Sequence, residues 1–328
     1  MKAIVYNKYG PPDVLQLKEV EKPVPKDNEV LVKVHAASAN PLDWHFMRGT
    51  PYIMRLQTGL FRPKNNAIGV DVAGRIEAVG KNVKEFQPGD EVFGACNGAF
   101  AEYVCASEGY LVKIPVNVTF EQAAAVPIAA FTALQGLRDQ GLIQPGQKVL
   151  INGAAGGVGT FAVQVAKSLG AEVTGVCSTR NVAMVRSIGA DHVIDYTQED
   201  FTRCKNTYDL IFDAVGNRSL LYCRRILRPQ GTFVIVGSQS KGRWLGPLAR
   251  SLRGLLLSRF VSQRIMMFMA SWSKDDLVTM QKLLEAGKVT PVIDRYYKWS
   301  EVTEAIRYLE EGHAQGKVII TWDNKNNA

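Results

Sequence analysis

Histidine and cysteine are scarce, with four and five among 328 residues. The cysteines, Cys96, Cys105, Cys177, Cys204 and Cys223, are odd in number and none stands in a CxxC pair. That argues against a disulfide framework and for a reducing compartment. The histidines, His35, His45, His192 and His313, show no HxxxH spacing. A catalytic zinc needs roughly three protein ligands, so the expectation is no metal. No uninterrupted apolar run approaches the roughly 20 residues of a membrane-spanning helix. "MKAIVYNKYG" reads as a short strand and not as a signal peptide, because no apolar core follows its lysine. The expected setting is soluble and cytoplasmic. There is no internal repeat, and the polar tail "DNKNNA" is the one low-complexity tract.

Acidic residues are missing altogether from Ala214 to Lys274, where eleven Arg and Lys stand. This stretch accounts for the net charge of +8. "GRWLGPLARSLRGLLLSRF" alternates leucine clusters with arginines at near-helical spacing. One reading is a weak association of 241–264 with an anionic membrane surface. The other, which we favour, is a lid helix whose apolar face lines a substrate pocket. Without an aromatic platform or a recognised motif in this stretch, nucleic acid is not an expected partner.

What is present is organised in two styles. Hydrophobic residues make up 46% of the chain, enough for sizeable cores in about two domains. The first third carries short strand-like runs such as "EVLVKVHAASAN", "VAGRIEAVG" and "EVFGAC" between Gly, Pro and Asp. Near Thr119 the style changes. Thr119 and Gln122 form a capping-box pattern ahead of an Ala-rich helix. Apolar strands then alternate with amphipathic helices, which predicts a parallel sheet covered on both faces. After about residue 265 the β-rich style returns. The expected division is 1–122, 123–264 and 265–328, with the last segment packing back on the first.

"LINGAAGGVGT" carries the first chemical signal. It stands between the strand "KVLIN" and a helical run. Glycines let the backbone turn and let a pyrophosphate approach the helix N-terminus. Ala154, Gly156, Gly157, Val158 and Gly159 are therefore candidate cofactor contacts; Ala154 replaces the first Gly of GxGxxG. A tight turn closing a plain βα unit is the alternative. An NAD site wants a carboxylate at the end of the next strand. Here Ser178, Thr179 and Arg180 stand there, groups suited to a 2′-phosphate, so NADPH is expected over NADH. A solvated loop arginine is the bland reading of Arg180.

The ordered set "HAASANPLDWHFMRG", "GVDVAGRIEAVGKNVKEFQPGDEVFG", "NGAAGGVG", "SIGADHVIDY", "DLIFDAVG" and "GTFVIVG" resembles the medium-chain dehydrogenase/reductase superfamily across nearly the whole chain. Within it, the chain looks most like the zinc-free quinone oxidoreductases of the zeta-crystallin branch, closest to the reticulon-interacting and chloroplast-envelope group. The resemblance implies an α/β fold: a GroES-like β-rich catalytic domain with an inserted Rossmann domain, a doubly wound parallel sheet. It also implies a cleft between the two and a homodimer. Zinc-dependent members carry Cys where this chain has Asn40 and His-Glu where it has Val70-Asp71. Asn and Val do not replace a thiolate and an imidazole on zinc.

The resemblance also implies site residues. Asn40 meets the nicotinamide, and Asp43 belongs to the same turn. His45 and Tyr52 fall where quinone oxidoreductases place substrate-facing tyrosines; a structural loop histidine and a packing tyrosine are the alternatives. Thr132 stands beside the nicotinamide, Tyr196 near the adenosine phosphate, and Phe268 and Met269 behind the carboxamide. Val215, Gly216, Gly237 and Ser238 end predicted parallel strands, where open α/β sheets bind ligands. Lys317 in "GKVII" is a further residue near the cleft. The expected function is hydride transfer from NADPH to quinones or α,β-unsaturated carbonyls. The alternatives are an enoyl reductase of one biosynthetic substrate and an NADPH-binding sensor or interaction protein.

Overall fold

A computed structural model of the protein describes residues 1–237 and 262–322. Two compact units divide the chain. The first comprises Met1–Ala129, Trp272–Gly287 and Pro291–Ala328; the second comprises Ala130–Ser271 and Lys288–Thr290.

In chain order the first unit opens with β1 (Lys2–Val5), β2 (Gln16–Glu19), β3 (Glu29–Ala39), β4 (Asp71–Val79), β5 (Glu91–Ala95), β6 (Tyr103–Ser107) and β7 (Leu111–Lys113). The second unit holds β8 (Lys148–Asn152), β9 (Glu172–Cys177), β10 (His192–Asp195), β11 (Tyr208–Asp213), β12 (Leu227–Ile235) and β13 (Arg264–Met267). The first unit resumes with β14 (Ile293–Lys298) and β15 (Lys317–Thr321). The helices used below are α1 (Pro41–Arg48), α2 (Arg55–Thr58), α3 (Phe120–Ala124), α4 (Pro127–Gln135), α5 (Gly157–Ser168), α6 (Val182–Ser187), α7 (Leu220–Cys223), α8 (Lys274–Glu285) and α9 (Val302–Glu310).

The second unit is a parallel sheet in the order β10-β9-β8-β11-β12-β13. Numbered within the unit this is 3-2-1-4-5-6, the dinucleotide-binding order, with its switch point between β8 and β11. Its strands are buried on both faces: Val149, Leu150, Ile151, Ile211 and Phe212 have no exposed surface. Helix α5 buries Phe161, Ala162, Val163, Val165 and Ala166, which fits the apolar run "FAVQVA".

The first unit is a mostly antiparallel sheet in the order β14-β15-β3-β4-β5-β7, with β6 also on β3. Strand β3 is long and bulged, and so serves β4, β6 and β15 at once. Helix α9 is strongly amphipathic and seals this core with Val302, Ala305 and Ile306. Trp299 stacks on Trp322 at 4.1 Å and meets Phe100 edge-on at 6.0 Å beside it.

The unit boundaries differ from the sequence expectation on both sides. Helix α3 packs on β3, β4 and β5, so the first unit runs on to Ala129 and not to 122. Residues Arg264–Met267 are the sixth strand of the parallel sheet, so that unit extends to Ser271 and not to 264. The Ala-rich helix is two helices, because Pro127 has no N–H to continue α3. Its start is as expected: Gln122 N–H donates to Thr119 Oγ1 and Gln122 Oε1 accepts from Thr119 N–H. The run "SLLYCRRILR" is α-helical to Cys223 and a 3-10 turn over Arg224–Ile226, and Leu227 and Arg228 already belong to β12. Ser238 and residues 241–261 of the basic segment lie outside the described residues. No helix among those described is long and apolar enough to cross a membrane.

Candidate functional site

The second unit presents a cradle made largely of main chain. After β8 the chain turns through Gly153, at φ +87°, and enters α5 with Gly156 as N-cap. Gly156 has no side chain to cap the helix, and among the described residues the first-turn N–H groups of Gly157, Val158 and Gly159 have no side-chain acceptor. The glycines do different jobs. A Cβ on Gly159 would stand 2.0 Å from the Gly153 carbonyl oxygen, so this glycine lets α5 close on the strand turn. A Cβ on Gly156 would have Gly153 O, at 3.5 Å, as its nearest neighbour. Apart from its chain neighbours, no other atom of the described residues comes within 4 Å of that position. A pyrophosphate fits this combination of free donors, helix N-terminus and open space. Ala154 is fully buried beneath the turn, its Cβ near where one on Gly175 would stand.

The other carboxyl ends gather around the cradle. Asn152 ends β8 and Asp213 ends β11; their Asn152 Nδ2···Asp213 Oδ1 hydrogen bond is 2.8 Å long. The same Asp213 oxygen accepts from the N–H groups of Val215 and Gly216, at 3.2 and 2.8 Å. These two polar strand ends shape the loop that carries Val215 and Gly216. The strand pattern signals them, since each closes an apolar run with one polar residue. Gly237 N–H donates to the Asp213 carbonyl, and a Cβ on Gly237 would clash with Ala214 O at 2.0 Å. Phe268 and Met269 follow β13 at the same edge. The Phe268 ring lies over Gly136, while Met269 is 90% exposed. Thr132 is half-buried on α4.

Beyond β9, Ser178 is half-buried and Thr179 and Arg180 are exposed. Tyr196 is brought to them, its N–H bonded to the Cys177 carbonyl and its ring 44% exposed. The register also brings Asp195, opposite Cys177, which spacing along β9 did not reveal. Its carboxylate accepts from Thr179 Oγ1 at 2.5 Å and from Thr197 Oγ1 and N–H at 2.7 and 2.9 Å. The Thr179 hydroxyl, ahead of the Thr197 bonds, holds Asp195 below the ordinary carboxylate range.

The first unit holds a site of the opposite kind, built from buried charge. Ser38 and Asp71 face each other across β3 and β4, and Lys317 enters β15 beside Asn40. Asp71 Oδ2 accepts from Ser38 Oγ at 2.7 Å, Asn40 Nδ2 at 2.9 Å and Lys317 Nζ at 3.3 Å. Its Oδ1 accepts from the Ile128 N–H at 3.0 Å. Lys317 Nζ also donates to Asn40 Oδ1 at 2.6 Å. The side chains of Lys317 and Asp71 are 3% and 0% exposed. Asn40 is the N-cap of α1, yet its side chain turns to this cluster. Asp43 Oδ2 instead accepts the Asn40 N–H at 2.7 Å. Burial pushes the Asp43 carboxyl up to about 7, Asp71 adding to the rise and Asn40 N–H, Lys317 and Gly69 N–H opposing it. Burial also pushes the neighbouring Cys96 thiol far up, with Asp71 adding to it.

His45 and Tyr52 stand apart from this cluster. His45 stacks on Trp44 at 3.7 Å, and its Nδ1 lies 2.8 Å from the Thr50 carbonyl. Burial holds the imidazole below its ordinary value, with Thr50 and Glu310 opposing. A neutral ring facing a carbonyl carries its proton on Nδ1, which leaves Nε2 an acceptor. His45 is thus arranged as an acceptor at neutral pH. The Tyr52 ring is held by the Arg55 guanidinium at 4.6 Å, which also covers Tyr9 at 4.4 Å. Arg55 in turn donates to the Gly49 and Arg48 carbonyls.

The strand order and the glycine cradle are those of a dinucleotide-binding domain, and the relatives make the chain a nicotinamide-dependent oxidoreductase. Comparison with known proteins gives the family. Residues 26–116 match the alcohol dehydrogenase GroES-like domain and 188–320 the zinc-binding dehydrogenase domain. The mouse NAD(P)H oxidoreductase RTN4IP1, mitochondrial, is 35% identical over 98% of this chain and 89% of its own. The chloroplastic NADPH-dependent alkenal/one oxidoreductase of Arabidopsis thaliana is 32% identical over 98% and 79%. The quinone oxidoreductase structure from Coxiella burnetii superposes with a TM-score of 0.85 at 32% identity, over 98% of this chain and 99% of that one. The chain belongs to the medium-chain dehydrogenase/reductase superfamily, in its quinone oxidoreductase branch.

Proposed function

We propose that this protein is a zinc-free, NADPH-dependent reductase of quinones and α,β-unsaturated carbonyls. The observation that carries the reading is the state of Asp71. Zinc-dependent relatives place ligands at the positions of Asn40, Val70 and Asp71, and here Asp71 already has a buried ammonium and three neutral donors on its two oxygens. Val70 offers no donor atom, and the Cys96 thiol beside Asp71 is held from ionising. This donor set does not suit zinc. Without a Lewis acid, an acceptor that is already electrophilic is the favourable one. The relatives named for quinones and for alkenals and enones point the same way.

Bound NADPH supplies a hydride, which with one proton reduces a quinone to a hydroquinone or an enone to the saturated carbonyl. The protein's part is binding and orientation. The N–H groups of Gly157, Val158 and Gly159 take the pyrophosphate. Ser178 and Arg180 take the 2′-phosphate, with Tyr196 beside the adenosine. Thr132, Phe268 and Met269 hold the nicotinamide end. Tyr52 donates to the substrate oxygen as charge develops there. The five thiols fit a reducing compartment, and we place the protein in the cytoplasm as a homodimer.

One observation favours a second reading of the cofactor. The Asp195 carboxylate sits on Thr179, where it repels a 2′-phosphate and accepts from a ribose hydroxyl. NADH is therefore the competing choice. The test follows nicotinamide oxidation by EDTA-treated protein with a para-quinone, an ortho-quinone, an enal, an enone and a saturated ketone, with NADPH and NADH in parallel. Turnover of the activated acceptors alone, faster per unit KM with NADPH, is the expected result. Turnover of the saturated ketone only after zinc addition would overturn the zinc-free reading. No turnover with tight NADPH binding would favour a sensor.

A further inference from the structure

The buried lysine at the head of β15 has no role in the function proposed above, and its surroundings give it one. Lys317 Nζ can only donate, and Asp71, as a carboxylate, can only accept. Asn40 lies between them with its Oδ1 on the ammonium and its Nδ2 on the carboxylate, at 2.6 and 2.9 Å. The second Nδ2 hydrogen goes to the Ser38 carbonyl, at 3.3 Å. A carboxamide has two nearly isosteric orientations, and one of them would here set Nδ2 against an ammonium and Oδ1 against a carboxylate. The charges of Lys317 and Asp71 therefore select a single orientation. Among the described residues they leave Asn40 with one unused function, a lone pair on an Oδ1 polarised by a charged donor.

We propose that Lys317 is a positioning residue for reduction: its ammonium, balanced by Asp71, fixes the Asn40 carboxamide so that Oδ1 alone is offered to cofactor or substrate. The proposal rests on the reading of Asn40 as a residue that meets the nicotinamide. The pair is also a costly thing to bury. Two charged groups taken out of water stabilise a fold little beyond what apolar side chains of like volume would. A structural purpose would be met more simply by a methionine at 317. The arrangement is legible once the register is known, because β15 pairs with β3 so that Val318 faces Ala39 and Lys317 reaches Asn40. Nothing in the sequence signals this pairing across a separation of 277 positions.

The test uses Lys317→Met, Lys317→Arg, Asn40→Ala and the pairs built from them, in the full-length protein with NADPH and a quinone. Lys317→Met should lower kcat roughly 10- to 100-fold, the effect of a lost charge-assisted hydrogen bond, with the NADPH dissociation constant within about threefold of wild type. Lys317→Arg should recover most of the loss, since it restores a charged donor. In an Asn40→Ala background, Lys317→Met should cost kcat nothing further. A second readout needs no turnover. The Asn40 side-chain amide, assigned by its disappearance in Asn40→Ala, should give two slowly exchanging, well-separated proton resonances in wild type. They should exchange with water faster in Lys317→Met, while remaining two resonances because rotation about the amide C–N bond stays slow. If Lys317→Met does not fold, Lys317→Met/Asp71→Asn removes both charges together and takes its place. Wild-type amide resonances and kcat in the folded variant would overturn the proposal, as would additive losses with Asn40→Ala. A wild-type protein without turnover would sink the reductase reading alone, and the amide resonances would still decide what Lys317 does.

Discussion

The two candidate sites are built in opposite ways. The second is made of main chain: a turn, a helix end and glycines without side chains. The first is built from side chains of three separated segments, Ser38 to Asp43, Asp71 and Lys317, together with the Ile128 N–H, drawn into a buried cluster of charges. Main-chain donors need no compensation and tolerate varied neighbours, so a local motif suffices. A buried charge must be matched by another, so the first site is a set of mutual dependencies.

The comparison breaks most sharply at Asp71. Asp71→Ala leaves the Lys317 ammonium buried without a carboxylate and should destabilise by about 3–5 kcal/mol, read by urea unfolding. Adding Lys317→Met should restore part of that loss. A change below about 1 kcal/mol in the single variant would mean the cluster is open to water.

The next effect is on pH. The Asp43 carboxyl is raised from 3.8 to about 7, so the folded state holds its proton more tightly than the unfolded chain does. Its contribution is fully present below about pH 4 and is lost as pH rises through about 7, a loss on the order of a few kcal/mol. Asp90, Asp191 and Asp200 have depressed values and act in the opposite sense, so the test is the difference between wild type and Asp43→Asn. Unfolding free energies at pH 5 and pH 8 should fall less in Asp43→Asn than in wild type. Equal slopes would remove Asp43 from the cluster's charge balance.

Within the second unit, the glycines separate fold from ligand. Gly159→Ala forces a Cβ to 2.0 Å from a carbonyl and should lower stability by about 1–3 kcal/mol, measured by thermal unfolding without cofactor. Arg180→Glu should raise KM for NADPH about tenfold or more and leave KM for NADH nearly unchanged, as expected for a lost charged hydrogen bond to phosphate. Equal effects on both would favour the NADH reading that Asp195 supports. The smallest structural effect is at Gly156, where Ala meets ordinary contact at 3.5 Å and a φ of −82°. Gly156→Ala should change stability by less than about 0.5 kcal/mol while weakening dinucleotide binding severalfold, seen by titration of cofactor fluorescence.

Much of the second unit was legible because its signals are local. Val149 to Ile151, the glycine turn and the apolar face of α5 lie within twenty residues and act on one another. The Thr119–Gln122 cap was readable for the same reason. Boundaries were less so. The expected division at 264/265 cuts through Arg264–Met267, and only its pairing with β12 places it in the parallel sheet. In the first site Asn40 was identified through a resemblance, but its partner Lys317 carried no local signal beyond a lone lysine opening an apolar strand.

The sequence by itself determined the alternation of strands and helices, the glycine cradle and the family to which the chain belongs, because each is written in residues close together in the chain. The tertiary structure alone decided that Asp195 borders the Ser178–Arg180 loop, that His45 is arranged as an acceptor, and that Lys317, Asn40 and Asp71 form one buried charge system. Those depend on strand register and on burial. Register sets which distant side chains meet, and burial makes a hydrogen bond between them matter.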